Sequence, residues 1–214
     1  MATLSEILNL NISAQSIKKI DLFLETLPKY SYEYMKSLCY KALMLDSLNK
    51  TNDALKLIYS YVPDIDKMEN RSIISLFDTI IFITTKCNRA DQALKYIELK
   101  KGYLPISKSS LYIKDKINLF LVLKDYKKAK ESIEEFLNDD IDKEDQFFAK
   151  SNLALIYFYE RDFDNYLELL PTLEAYYKEH LMIDELMILD YNHLYIDYQK
   201  GRYTKVIFDG KSFM

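Results

Sequence analysis

The chain has 214 residues with 29 Lys and Arg against 33 Asp and Glu, a formal net charge of −4, three glycines, four prolines, 19 tyrosines and 11 phenylalanines. At 49% hydrophobic residues it can bury a core, which excludes wholesale disorder. So few glycines and prolines exclude a sandwich, barrel or doubly wound sheet, whose turns need special backbone angles, and the acidic balance argues against binding a polyanion such as nucleic acid.

The opening MATLSEILNLNIS carries neither the basic lead nor the apolar run of a secretory leader, so a cytoplasmic protein is expected. A short helix over 3–10 and a second over 14–27 are predicted to cap the start, giving an N-terminal segment 1–30. Amphipathic periodicity then predicts helices over 31–48, 52–62, 70–87, 90–101, 108–123, 126–137, 143–160, 163–179, 182–200 and 203–208. Pro28, Pro63 and Pro105 fall between helices, whereas Pro171 lies inside one and is expected to kink it.

The most apolar stretch, Ile73 to Thr85, is broken by Ser75 and Asp78 and is too short to span a bilayer, so no membrane association is expected. The basic KDYKKAK (Lys124, Lys127, Lys128, Lys130) is followed closely by the acidic run 138–145, a pattern that decorates a solvated helix and its loop. Cys39 and Cys87 lack any CxxC spacing, which argues against a zinc module or disulfide scaffold. The two histidines, His180 and His193, have no HExxH-type partner, and His180 is expected to cap the negative end of its helix. No GxGxxG, GxxxxGK[ST] or GxSxG occurs. Catalysis, cofactors and metals are therefore not expected.

A repeat organises the helices. The segments ALMLDSLNKTNDALKLIYSYV, IIFITTKCNRADQALKYIELK, INLFLVLKDYKKAKESIEEFL and ALIYFYERDFDNYLELLPTL share one pattern, and LYIDYQKGRYTKVIF is a weaker fifth. Anchored on Ala54, Ala93, Ala129, Tyr166 and Val206, the intervals are 39, 36, 37 and 40 residues. A small anchor lets the two helices of a hairpin approach closely, and a lone hairpin cannot bury its stripe on both sides, so neighbours must stack. The pattern resembles the tetratricopeptide-repeat (TPR) family: Ala42 and Ala154 in first helices, the aromatics Tyr126, Phe163 and Tyr203 opening second helices, and Gly201 in a turn where Asn49, Asn88, Lys124 and Arg161 stand in the other units. It departs from the family in its longer intervals and in the bulky anchors Tyr166 and Val206. The resemblance implies an all-α, right-handed superhelical solenoid of about five antiparallel helix pairs over 31–208, with 209–214 as a C-terminal tail.

In such a solenoid the first helix of each unit lines a concave groove. That implies inward positions at Lys114, Asn118, Asn152, Tyr159, Tyr191, Asn192 and Tyr195, with Cys39, Tyr40, Leu43, Asp78, Thr79 and Phe82 contributed by earlier units. An asparagine amide offers a donor and an acceptor, so it can pair with both groups of an extended backbone. Lys114, Asn118 and Asn152 match three positions of the carboxylate clamp of chaperone-tail-binding TPR domains, but its two remaining basic positions fall on Ile188 and Asn192.

The resulting expectation is a scaffold that binds protein or extended peptide in its groove, similar to the peptide receptors of Gram-positive quorum sensing. The alternative is the sensory module of a longer bacterial signalling protein whose output domain lies outside these residues. Self-association through an uncapped C-terminal end is a second expectation about partners.

Overall fold

Apolar side chains recur at i, i+3, i+4 and i+7 along most of the chain, the spacing that lines one face of a helix. The computed structural model describes residues 3–105 and 110–210, with the side chains of 208–210 excepted. The expected helix start at 108 and residues 211–214 of the expected tail lie outside this range.

The described residues form helices and no strand: α1 (Leu4–Leu8), α2 (Ala14–Leu24), α3 (Tyr32–Ser47), α4 (Thr51–Tyr59), a 3-10 segment (Val62–Lys67), α5 (Asn70–Lys86), α6 (Ala90–Lys101), α7 (Leu111–Val122), α8 (Tyr126–Leu137), α9 (Lys143–Glu160), α10 (Phe163–Glu179), α11 (Ile183–Gln199) and α12 (Tyr203–Gly210). None of them is long and apolar enough to cross a membrane.

Several helix starts are set by side-chain oxygens that accept orphan backbone N–H groups. Thr3 and Glu6 form a reciprocal capping box, and Ser13, Ser31, Asp142 and Asp162 cap α2, α3, α9 and α10. Two ends come earlier than periodicity predicts, and proline explains both. Pro28 disfavours the helical conformation at Leu27, so α2 stops at Leu24. Pro63 has no N–H for the Tyr59 carbonyl and its ring crowds that group: α4 ends at Tyr59, and the chain tightens into a 3-10 segment whose first turn tolerates the missing N–H. Pro171 lies within α10, which runs through it as one element.

The turns share one geometry. Asn49, Asn88, Lys124, Arg161 and Gly201 all adopt left-handed backbone, with φ of 60°, 58°, 57°, 61° and 74°. After each, an N–H reaches back to the fifth preceding carbonyl: Lys50 to Leu45, Arg89 to Thr84, Asp125 to Phe120 and Asp162 to Tyr157 at 2.9 Å, and Arg202 to Asp197 at 2.8 Å. This six-residue closure is the Schellman motif. The five positions lie 39, 36, 37 and 40 residues apart, the intervals of the sequence anchors. Leu181, at φ 55°, makes the same closure between α10 and α11.

The chain divides into two compact units, residues 1–132 and 133–214, with the boundary inside α8. In the first, α3 packs on α4, α5 on α6, and the first helices pack on one another, α3 on α5 and α5 on α7. Helix α5 is central: Ile73, Leu76, Phe77, Ile80 and Ile83 are buried with Met35, Leu38, Ala42, Ile58 and Ile97. The apolar stretch 73–85 is thus a core helix. The anchors Ala54, Ala93 and Ala129 are fully buried. At the amino end α1 and α2 close over Met44 with Ile7, Ile20 and Phe23, and Tyr40 Oη donates to the Leu10 carbonyl at 2.8 Å.

In the second unit α9 packs on α10, α10 on α11 and α11 on α12, around Ala154, Tyr166, Leu170, Leu173, Leu189 and Ile196. The large anchor Tyr166 is buried with its hydroxyl satisfied by the Asn192 amide at 3.2 Å. Val206 is half-buried. The buried carboxylate of Asp197 ties α11 to α12 through Arg202 at 3.2 Å and Lys205 at 2.8 Å. Burial works against that charge, but the two cations outweigh it and hold the carboxyl below its usual range.

Candidate functional site

Helix α5 presents Asp78, Ile81, Phe82 and Thr85 along one face, and α7 presents Leu111, Asp115, Asn118, Leu119 and Val122. The faces enclose a cleft of about 650 Å³ within the first unit, walled at one point by Lys100 from the end of α6. Its floor is apolar: Ile81 and Leu119 are buried, while Phe82 and Val122 stand 57% and 60% exposed at its sides. Asp78 and Leu111 also line an adjoining cleft that runs toward Tyr32 and Ser75.

The charged wall is an Asp–Lys–Asp clasp. Lys100 is 4% exposed, and its ammonium donates to Asp115 Oδ2 at 2.7 Å and pairs with Asp78 Oδ1. Its aliphatic stem runs through the packed interior while its head meets both carboxylates. Burial disfavours the ammonium, but the two carboxylates more than offset this, so Lys100 holds its proton more tightly than a free lysine. Burial pushes the Asp115 carboxyl up, against the pull of Lys100. Two carboxylates share one cation, so the clasp carries a residual negative charge, and Asp78 presents a half-exposed carboxylate to the cleft.

At the other end of the α5 face, Lys86 donates to Asp46 Oδ2 at 2.7 Å, and Asp46 Oδ1 accepts the Thr51 hydroxyl at 2.6 Å. Burial would raise the Asp46 carboxyl, but Lys86 and Thr51 keep it below its usual range. This pair is neutral and clips the ends of α3 and α5 to the start of α4. The cleft is therefore electrically lopsided, with its uncompensated charge at Asp78 and Asp115.

Of the residues expected to face a groove, Asn118 lines this cleft and is exposed, as Asp78 and Phe82 do from α5. Lys114 lies half-buried one turn earlier on α7. Cys39 and Thr79 turn into the α3–α5 contact, where both side chains reach the Ser75 carbonyl, at 3.4 and 2.9 Å. Burial raises the Cys39 thiol to about 11, so it stays protonated. Tyr40 is engaged at the amino-terminal cap.

The other expected residues belong to the second unit. Asn152 donates its amide to the Phe148 carbonyl of its own helix at 2.8 Å, and Asn192 donates to Tyr166. Each bond uses one of the two N–H donors of its amide. Tyr159 and Tyr191 stand 60% and 67% exposed. Tyr195 packs its ring on Phe158 and Phe163, with centroids 5.6 and 6.4 Å apart. Phe147 stacks on Tyr176, which stacks on His180. His180 is the C-cap of α10, with Nδ1 2.8 Å from the Tyr176 carbonyl, the placement expected from sequence. No group of three His, Cys, Asp or Glu among the described residues is arranged to hold a metal ion.

Sequence reasoning missed Lys100, Asp115 and Lys86. The clasp joins three helices across separations of 22 and 15 residues, and neither reproduces a local motif. Comparison with protein-family models, curated proteins and solved structures gives no significant match.

Proposed function

We propose that the chain is a TPR-like scaffold that binds a protein or extended peptide and performs no catalysis of its own. In this reading the five hairpins stack as a right-handed superhelical solenoid. The first helices line its concave face, and the α5–α7 cleft is part of that face. The observation that carries the reading is the cleft: two successive first helices leave large apolar side chains, Phe82 and Val122, standing in solvent beside polar groups that can orient a ligand. An α-helical groove with an apolar floor and a few convergent polar groups suits an extended segment or a partner helix.

Selection of random dodecamers displayed on phage against the immobilised chain tests this. Enriched sequences are expected to bind Phe82→Ala about tenfold more weakly than the unaltered chain. No enrichment over an unrelated helical protein overturns the reading.

A regulatory reading, in which this chain is the sensory part of a larger signalling protein, draws on a different feature. Met187, Ile188, Tyr191 and Tyr198 of α11 and Tyr203 and Ile207 of α12 are all more than half exposed. Apolar surface of that extent suits contact with a further domain or a second copy. Sedimentation across a wide concentration range tests the second-copy version, which a strictly monomeric chain would exclude.

A further inference from the structure

We infer that the α5–α7 cleft selects segments in which a basic side chain, Lys or Arg, lies next to a large apolar one. This rests on the peptide-binding reading above and adds the chemistry of the partner.

The argument is charge complementarity. Around the cleft, Lys86 is paired with Asp46, so the two together add no net charge. At Asp78 and Asp115 two carboxylates face a single ammonium, and that ammonium is almost wholly buried. An incoming ligand therefore meets half-exposed carboxylate at Asp78 with the compensating cation behind it. Low-dielectric walls of Ile81, Phe82 and Leu119 strengthen that field, since a charge pair beside apolar surface is screened less than one in water. A guanidinium or ammonium set beside Asp78 completes the neutralisation, while a neighbouring Leu, Phe or Met side chain covers Phe82 and Val122.

An acidic tail meets the opposite situation. The carboxylate-clamp resemblance at Lys114 and Asn118 is incomplete, and Asn118 shares its cleft with Asp78 and Asp115. Like charges set that close disfavour an anionic ligand, and repulsion of the wrong partner is as much a part of specificity as attraction of the right one.

The phage selection above is repeated against Asp78→Asn and Asp78→Glu in the full chain, with circular dichroism confirming unchanged helicity. Sequences enriched on the unaltered chain are expected to carry Lys or Arg within two residues of a large apolar residue. A synthetic dodecamer of that type is expected to lose about tenfold in affinity on Asp78→Asn and to keep its affinity on Asp78→Glu, whereas its Arg→Gln counterpart is indifferent to both. Enrichment without basic bias, or equal affinity for Asp78→Asn, overturns this inference and leaves the peptide-binding scaffold standing. Absence of any enrichment overturns both.

Discussion

Replacing Lys100 by Met removes the cation of the clasp while keeping a side chain of similar length for the packed stem. Asp115, whose side chain is only 24% exposed, is then left with no ammonium 2.7 Å away and with Asp78 close by. It can stay charged in a partly desolvated site or take up a proton. Protonating a carboxyl with an ordinary pKa near 4 costs about 4 kcal/mol at pH 7, at about 1.4 kcal/mol per pH unit. Staying charged without its partner costs about 3–5 kcal/mol when fully buried. Residual exposure of Asp115 and half-exposure of Asp78 reduce the cost of staying charged, so we expect a loss of about 2–4 kcal/mol at pH 7. At pH 5 the protonation route costs only about 1.4 kcal/mol, and the deficit should shrink accordingly. Adding Asp115→Asn to Lys100→Met should restore at least half of the loss, because it removes the stranded charge. Urea unfolding followed by far-UV circular dichroism at pH 7 and pH 5 measures all of this. A single variant within about 0.5 kcal/mol of the unaltered chain at pH 7, or a double variant no more stable than the single, would refute the clasp as described.

The shared turn geometry predicts opposite signs for opposite substitutions: Gly201→Ala should cost about 1 kcal/mol, and Leu181→Gly and Arg161→Gly should each gain roughly 0.5–1 kcal/mol in thermal or urea unfolding. Equal signs would contradict the left-handed assignment. Ser37 and Ser72 carry fully buried hydroxyls with no hydrogen-bond partner, so Ser37→Ala and Ser72→Ala should each stabilise by about 1 kcal/mol, and destabilisation by either would show a hidden partner. Burial raises the phenols of Tyr59, Tyr61, Tyr96, Tyr166 and Tyr177. Their folded pKa values exceed the unfolded value near 10, so their contribution to stability is complete below about pH 10 and lost as pH rises through the folded values. A near-UV titration should show these phenols ionising late, together with loss of helix. Ionisation of all tyrosines near pH 10 with helicity intact would contradict it.

Helix positions were largely legible because they rest on local rules. The periodic stripes of α3, α5 and α9 place those helices within a residue or two of where they lie. The turn positions were legible too, since Gly201 identifies a site that Asn49, Asn88, Lys124 and Arg161 occupy at the same intervals. The ends of α2 and α4 were not, because Pro28 and Pro63 act on the residues before them and override the apolar pattern.

The site was legible only in part, for a different reason. Asn118 and Phe82 follow from counting along a helix, whereas the Asp78–Lys100–Asp115 clasp depends on how three helices converge. Cys39 and Thr79 show the limit of counting: both side chains turn into the α3–α5 contact instead of outward. Asn152 illustrates a local competitor for a groove role, since its amide donates to the Phe148 carbonyl one turn back on its own helix.

Methyl-labelled isoleucine spectra of the chain, recorded with and without a dodecamer enriched by selection, test the central claim most directly. Binding in the cleft should shift the methyl resonance of Ile81, which lines it, and leave Ile156 and Ile196 of the second unit in place. Shifts confined to the second unit, or an unmoved Ile81 with saturating peptide, would contradict it.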